Sequence, residues 1–341
     1  MPNGPGQAFF ELISNQFENS EHVGTVQFLS DDPREEFCIE VTREGLTCTD
    51  GVGQNPQASI TMHNGVICDL VRRSERYDAR VIEFSSRLVV SGDHSLASFL
   101  LDLVKRPSAR VIQALEAAKS AWTGRTLSRV ENVPVRDAGA IRDARFGFRP
   151  IIVVEALEGW KVSEWGPATL EKEFGKYQVV SYLPWTLRDY ANPGPRYTNG
   201  VGLPGVLWRR FRPPEALSKV ASLGFPQLWL GNPTSDNISV SSLHYDCVHG
   251  FLCQVYGTKR ILLYSPDQEA LVYPRRAFNM FRACHTGPDR IDYERYPMFR
   301  QARPVEVLLS PGETLFIPLG WFHCVYASTP VMSISYPVEA E

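Results

Sequence analysis

The chain has 341 residues, of which 43% are hydrophobic and 21% charged, with a formal net charge of -3; that is enough for two domains, each with its own core. A pI near 6.2 supplies no basic field to draw in nucleic acid, which makes nucleic acid a poor candidate partner. The seven cysteines are odd in number and form no CxxC pair, which argues against a disulfide framework or zinc knuckle and for a reducing, cytoplasmic location.

Met1-Pro2-Asn3-Gly4-Pro5 carries neither the basic nor the apolar region of a secretion signal, and no apolar run approaches the roughly 18 residues of a membrane span. Residues 7–18 place Phe9, Phe10, Leu12, Ile13 and Phe17 at helical spacing. Alternating runs predict strands over 23–28, 37–41 and 46–48, the last two joined at Glu44-Gly45. Residues 58–62 read as a strand, 66–72 as a helix and 87–90 as a strand. Ser91-Gly92-Asp93 then turns into an amphipathic helix over 95–104, and a last helix covers 109–120. From Trp122 to Ala140 the chain mixes Gly, Pro and charges without periodicity. The expected division is therefore 1–125, a linker at 126–140, and 141–341. A strand over 151–154 opens the second domain, followed by a helix over 168–174, a strand over 179–182 and apolar pieces at 203–208 and 224–229.

Chemistry concentrates in Leu243-His244-Tyr245-Asp246, closed much later by Trp321-Phe322-His323. Strand alternation points His244 and Asp246 the same way. Residues 251–264 read as two apolar strands joined at Tyr256-Gly257-Thr258-Lys259, and 313–317 as a third, from which His323 can return to the same point in a rolled sheet. Two imidazoles and one carboxylate on one side of a metal leave its other positions open, the facial triad of non-haem Fe(II) oxygenases. Lys259 alternates with Ile261 and Leu263, so its ammonium would enter an apolar barrel, where burial without an anion is costly; the alternative is an exposed edge lysine. His249 falls on the face opposite His244 and reads as structural. Cys247, Cys253 and Cys324 read as small packing residues. Arg275, Arg276 and Arg282 stand in a long loop, either ready for a carboxylate or phosphate or simply solvated; Arg209, Arg210 and Arg212 form a second small cluster.

The order His244, Gln254, Gly257, Lys259, Pro266, then Asp292-Tyr293-Glu294-Arg295-Tyr296-Pro297, Pro311-Gly312-Glu313 and Ile317-Pro318-x-x-Trp321-x-His323 resembles the JmjC-type cupin oxygenases. The likeness runs over residues 140–338 and is nearest the branch of the asparaginyl hydroxylase of hypoxia-inducible factor and the wybutosine tRNA hydroxylase. It implies a double-stranded β-helix in which His244, Asp246 and His323 are catalytic and hold Fe(II). It also implies 2-oxoglutarate and O2 as co-substrates, with decarboxylation coupled to oxidation of an unactivated C–H bond. Lys259 and Tyr197 would meet the far carboxylate, and Ser241 stands where relatives carry threonine. Two departures are Gly250, where relatives often have Asn, and Ser335 or Ser333, where the asparaginyl hydroxylase has another Asn. The expected substrate is a small molecule, natural product or peptide, with a protein side chain or tRNA base as the alternative. A further alternative is a non-catalytic lipid or ligand carrier.

In the first half, residues 45–50, 58–70 and 88–103 resemble the sterol-carrier-protein type of lipid-binding domain. The expected fold class is thus α+β: a sterol-carrier-like α/β sandwich followed by a cupin, or jelly-roll, barrel. That family encloses an apolar tunnel, which would need Phe10, Ile13, Phe28, Ile60, Phe99 and Leu103 to face a void rather than one another. The alternative is a packed recognition domain, through which any homodimer would form.

Overall fold

The computed structural model describes residues 4–31, 34–73, 87–180, 184–192, 194, 196–233 and 239–339. It divides into two compact units, Met1–Ala109 with Arg275–Arg282, and Arg110–Pro274 with Ala283–Glu341. The border falls earlier than the expected linker. Helix Ala109–Trp122 lies, from Arg110 on, in the second unit, with Ala118 and Trp122 buried. The 126–140 stretch is itself structured, holding strand Glu131–Pro134 and the start of helix Ala138–Phe146. In place of the strand expected over 179–182, Gln178 bridges Thr186 and residues 179 and 180 form a bend; the remainder lies outside the described residues.

In the first unit, strands β1 (Gly24–Asp31), β2 (Arg34–Val41), β3 (Leu46–Asp50), β4 (Ala58–Met62) and β5 (Leu88–Gly92) form one sheet in the order β3-β2-β1-β4-β5. Alternation buries Val26 and Phe28, Phe37, Ile39 and Val41, and Ile60 on one face. Helices Pro5–Gln16, Asn64–Arg73 and His94–Asp102 bring Phe9 and Ile13, Val66 and Leu70, and Leu96 and Leu100 to that core. Phe28 stacks on Phe37 with ring centroids 5.0 Å apart and meets Phe9 at 5.1 Å. Ile13, Phe28, Ile60 and Leu103 lie in a single cluster with Phe10 and Phe99 packed against it. Among the described residues these side chains meet one another, which favours the packed alternative over the tunnel.

The second unit contains β6 (Glu131–Pro134), β7 (Ile151–Val154), β8 (Val201–Gly202), β9 (Gln227–Gly231), β10 (Ser241–Asp246), β11 (His249–Tyr256), β12 (Lys259–Tyr264), β13 (Phe281–Ala283), β14 (Val305–Leu309), β15 (Thr314–Ile317), β16 (Phe322–Ala327) and β17 (Val331–Val338). Its sheets run β13-β10-β16-β12-β14 and β6-β7-β15-β11-β17-β9-β8. The principal strands alternate between sheets along the chain, β10, β12 and β16 in one and β11, β15 and β17 in the other, which is the jelly-roll arrangement of a cupin. β11 and β12 are buried along nearly their whole length, so apolar residues occupy both faces of each strand. Phe251, Cys253 and Val255 join one core with Ile334 and Tyr336, while Leu252 joins another with Ile261, Leu263, Leu315, Ile317 and Val325. This second cluster fills the space between the two sheets.

All seven cysteines are free, and no helix among the described residues is long and apolar enough to cross a membrane. Gly257 turns β11 into β12 at φ +70°, where an added Cβ would strike the Pro330 carbonyl. Gly257→Ala is expected to destabilise the protein by about 1–3 kcal/mol, read as a lower urea midpoint; an unchanged midpoint would show that the turn relaxes freely.

Candidate metal centre

Strands β10 and β16 pair antiparallel, with Ser241 opposite Val325 and His244 opposite His323. Between these rungs two residues of β10 face one of β16, a β-bulge. Residues directly opposite share a face, and Val325 belongs to the inner cluster. The bulge therefore puts Ser241 and His244 on the same inner face, although an odd spacing would separate them on a regular strand. Asp246 follows His244 by plain alternation.

The two imidazole centroids are 4.2 Å apart. Asp246 Oδ1 lies 3.8 Å from His244 Nε2, and its Oδ2 3.8 Å from His323 Nε2. One ligand atom from each residue falls within 4.8 Å of the others. His244 Nδ1 stands 2.6 Å from the Ser242 carbonyl, inside the bulge, and His323 Nδ1 3.0 Å from the Trp321 carbonyl. A carbonyl only accepts, so both Nδ1 atoms carry a proton and both rings present Nε2 on the side of Asp246, where a metal would be held. Burial, with His244 beside it, pushes the His323 pKa down to about 4, which keeps the ring in its ligating form near neutral pH. The Asp246 side chain is 44% exposed against 7% for His323, so one side of the centre is open. The donor set and the open side suit Fe(II).

Lys259 lies four residues along β12 from Leu263, the residue opposite His323; at a strand rise of about 3.3 Å that is roughly 13 Å between Cα atoms. It is 1% exposed, and no hydrogen bond or ion pair satisfies it among the described residues. Its Nζ sits 5.6 Å from the Tyr197 ring centroid and 6.0 Å from that of Trp229. Burial pulls its pKa from 10.5 to about 7. The Tyr197 hydroxyl is also buried without a hydrogen-bond partner, and burial raises its pKa. Tyr197 reaches this place because Gly231 lets its backbone come close to β9 and Thr198 bonds the backbone of Leu228 and Leu230. A buried ammonium and a buried phenol without acceptors are costly unless an anion joins them.

Ser335 accepts from Trp229 Nε1 at 2.8 Å and contacts Gln227 Oε1 at 3.3 Å; the alternative, Ser333, donates to Gln254 Oε1 at 2.5 Å. Gly250 faces open space where a Cβ would stand. Other candidates belong elsewhere. His249 accepts from the Leu319 N–H at 3.1 Å and packs against the Phe148 and Phe316 rings. Arg276 meets Glu18 within the first unit, and Arg210 pairs with Glu173 at 3.2 Å. Trp229, the indole beside Lys259, escaped sequence reasoning; its only signal was an aromatic residue in an apolar strand.

Residues 207–336 match the family described as "Cupin-like domain". Jumonji C domain-containing protein 5 of Drosophila melanogaster is 35% identical over 108 residues, covering 32% of this chain and 26% of that protein. Lysine-specific demethylase 8 of Xenopus tropicalis is 35% identical over 98 residues, covering 29% and 22%. tRNA wybutosine-synthesizing protein 5 of Gallus gallus is 39% identical over 82 residues, covering 24% of each. The match thus spans about a quarter of the length of these relatives. A solution structure of palmitated SCP2L2 from Aedes aegypti aligns with 30% of this chain and 92% of its own at 12% identity, but its TM-score of 0.25 carries no argument.

Loss of a ligand should cost more than the 10- to 100-fold typical of an outer partner. His323→Ala is therefore expected to reduce Mn(II) affinity by more than about 100-fold, by calorimetric titration, with the circular dichroism spectrum retained. An affinity equal to wild type would remove His323 from the centre.

Proposed function

With residues 207–336 forming a cupin-like JmjC domain as the premise, we propose that the protein is an Fe(II)- and 2-oxoglutarate-dependent dioxygenase. It hydroxylates an unactivated C–H bond of a small-molecule, natural-product or peptide substrate. The observation that carries this reading is Lys259, buried without an anion beside the orphaned Tyr197 hydroxyl and on the inner face that also bears the triad.

His244, Asp246 and His323 would hold the metal on the inner face of β10 and β16. Lys259 and Tyr197 would grip the far carboxylate of 2-oxoglutarate by charge-assisted hydrogen bonds, with the Ser241 hydroxyl on the same face. Ser335 holds the Trp229 indole, which flanks the lysine. Ile261, Leu263, Leu252 and Val325 line the interior with apolar groups and limit competing reactions with water. Open space at Gly250 leaves room beside β11 that an Asn side chain would fill. When bound, the iron and its co-substrates supply the oxidising chemistry, and the protein supplies position and a dry interior.

The names of the relatives point to different substrates, one a demethylase and another a tRNA-modifying protein. A protein side chain or a tRNA base is accordingly the alternative substrate, and the net charge of -3 weighs against tRNA. Succinate release from 2-oxoglutarate in the Fe(II)-loaded protein tests the reaction class. A gain of one oxygen in a treated lysate, found by mass spectrometry, would identify the product; neither signal across candidate substrates would leave a carrier.

Lys259→Ala should raise the 2-oxoglutarate requirement by about one to two decades, the roughly 1.5–3 kcal/mol of a charged hydrogen bond, and change the substrate requirement far less. The same constant as wild type would assign the carboxylate to another group.

The pH dependence follows from the lysine's depressed pKa. The free side chain is charged below about 7 and neutral above it. A bound carboxylate selects the ammonium, so above that pH binding takes up a proton. Affinity for 2-oxoglutarate should fall as pH rises, by up to about tenfold per unit. A flat affinity profile between about pH 7 and 9 would contradict proton uptake at this site.

A further inference from the structure

We propose that helix Ala109–Trp122 positions the metal ligand His323 through contact of Trp122 with Trp321. The proposal rests on the reading of His244, Asp246 and His323 as a metal centre.

Residues 319–321 are tied to both ligand strands. The Gly320 N–H donates to the Asp246 carbonyl at 3.1 Å, and the Trp321 carbonyl accepts from His323 Nδ1 at 3.0 Å. The Leu319 N–H is held by His249 at 3.1 Å. A shift of this short segment would therefore turn the His323 ring and move the end of β10 together.

The helix packs directly on that segment. Gly320, at φ +80°, would place a Cβ 3.2 Å from Leu115 Cδ2 and 3.6 Å from Ala118 Cβ. Trp122 meets Trp321 edge to face, with centroids 4.8 Å apart and planes at 81°. The two indoles hang from adjacent carbonyls: Trp122 Nε1 donates to Gly147 at 3.2 Å and Trp321 Nε1 to Phe148 at 2.7 Å. Phe148 itself is held at φ +50°, a conformation that persists only where its surroundings fix it. The helix is also tied by Lys119 Nζ, 2.7 Å from Glu269 Oε2. Trp321 is 1% exposed, so its indole is enclosed, with Trp122 against its ring on the helix side. Fixing the indole fixes the peptide whose carbonyl sets the His323 tautomer and ring direction, as an outer hydrogen-bond partner does in a metal site.

The test compares Mn(II) affinity and the Co(II) absorption spectrum of the full chain with its melting temperature. Trp122→Leu keeps an apolar plug but removes the edge-to-face ring, and it should weaken Mn(II) binding by about tenfold and alter the Co(II) spectrum. Trp122→Phe, which restores a ring, should return both close to wild type. Leu170→Ala, in the core cluster around Phe251 and away from this helix, should lower the melting temperature without changing metal affinity. If Trp122→Leu lowers only the melting temperature, as Leu170→Ala does, the helix is a structural support and the positioning role is overturned. If the wild type binds no Mn(II), the metal centre fails and this role fails with it.

Discussion

Directing two imidazole lone pairs at one point requires that each ring have its other nitrogen occupied. Here the backbone does this, with the Ser242 and Trp321 carbonyls accepting from His244 and His323. The first acceptor exists because β10 carries an extra residue between two rungs; the second because the chain turns tightly through Gly320 before β16. The barrel supplies the remaining condition, burial, which keeps His323 neutral. The bulge, the turn and the inner cluster around Leu263 and Val325 thus serve a single geometric demand.

The same interior sets the terms for Lys259. An ammonium between Tyr197 and Trp229 gains little from the weak field of two aromatic faces and loses most of its hydration. Its depressed pKa records that imbalance. A dicarboxylate spanning the interval between lysine and metal would satisfy the ammonium at one end and the open coordination positions at the other.

Much of this was legible along the chain because it depends on alternation. The spacing of His244 and Asp246, and of Lys259 with Ile261 and Leu263, assigns faces without knowledge of any partner. The return of His323 needed the rolled sheet implied by the resemblance. The bulge at Ser241 was illegible, since an extra residue exists only relative to the opposite strand. The arginines of the long loop were ambiguous for a similar reason: Glu18, which engages Arg276, lies far away in sequence. Packed and hollow versions of the first unit bury the same alternating residues, so periodicity cannot separate them; contact between layers, such as Phe9 of the first helix on Phe28 of the sheet, favours the packed version.

The pattern of helix Ala109–Trp122 says only that it is a helix, and its place in the chain puts it with the first half; its contacts with Gly320 and Trp321 are made across most of the chain. This has a consequence for how such a protein can be recombined. A shuffling event that replaced residues 1–109 would have to cut before Arg110, and would leave behind Arg275–Arg282, which belong to the same unit. A break in the 126–140 stretch, which composition marks as the natural joint, would carry Trp122 away with the discarded module. The second unit therefore has a hidden preface, and its exchangeable boundary lies upstream of the segment that resembles a linker.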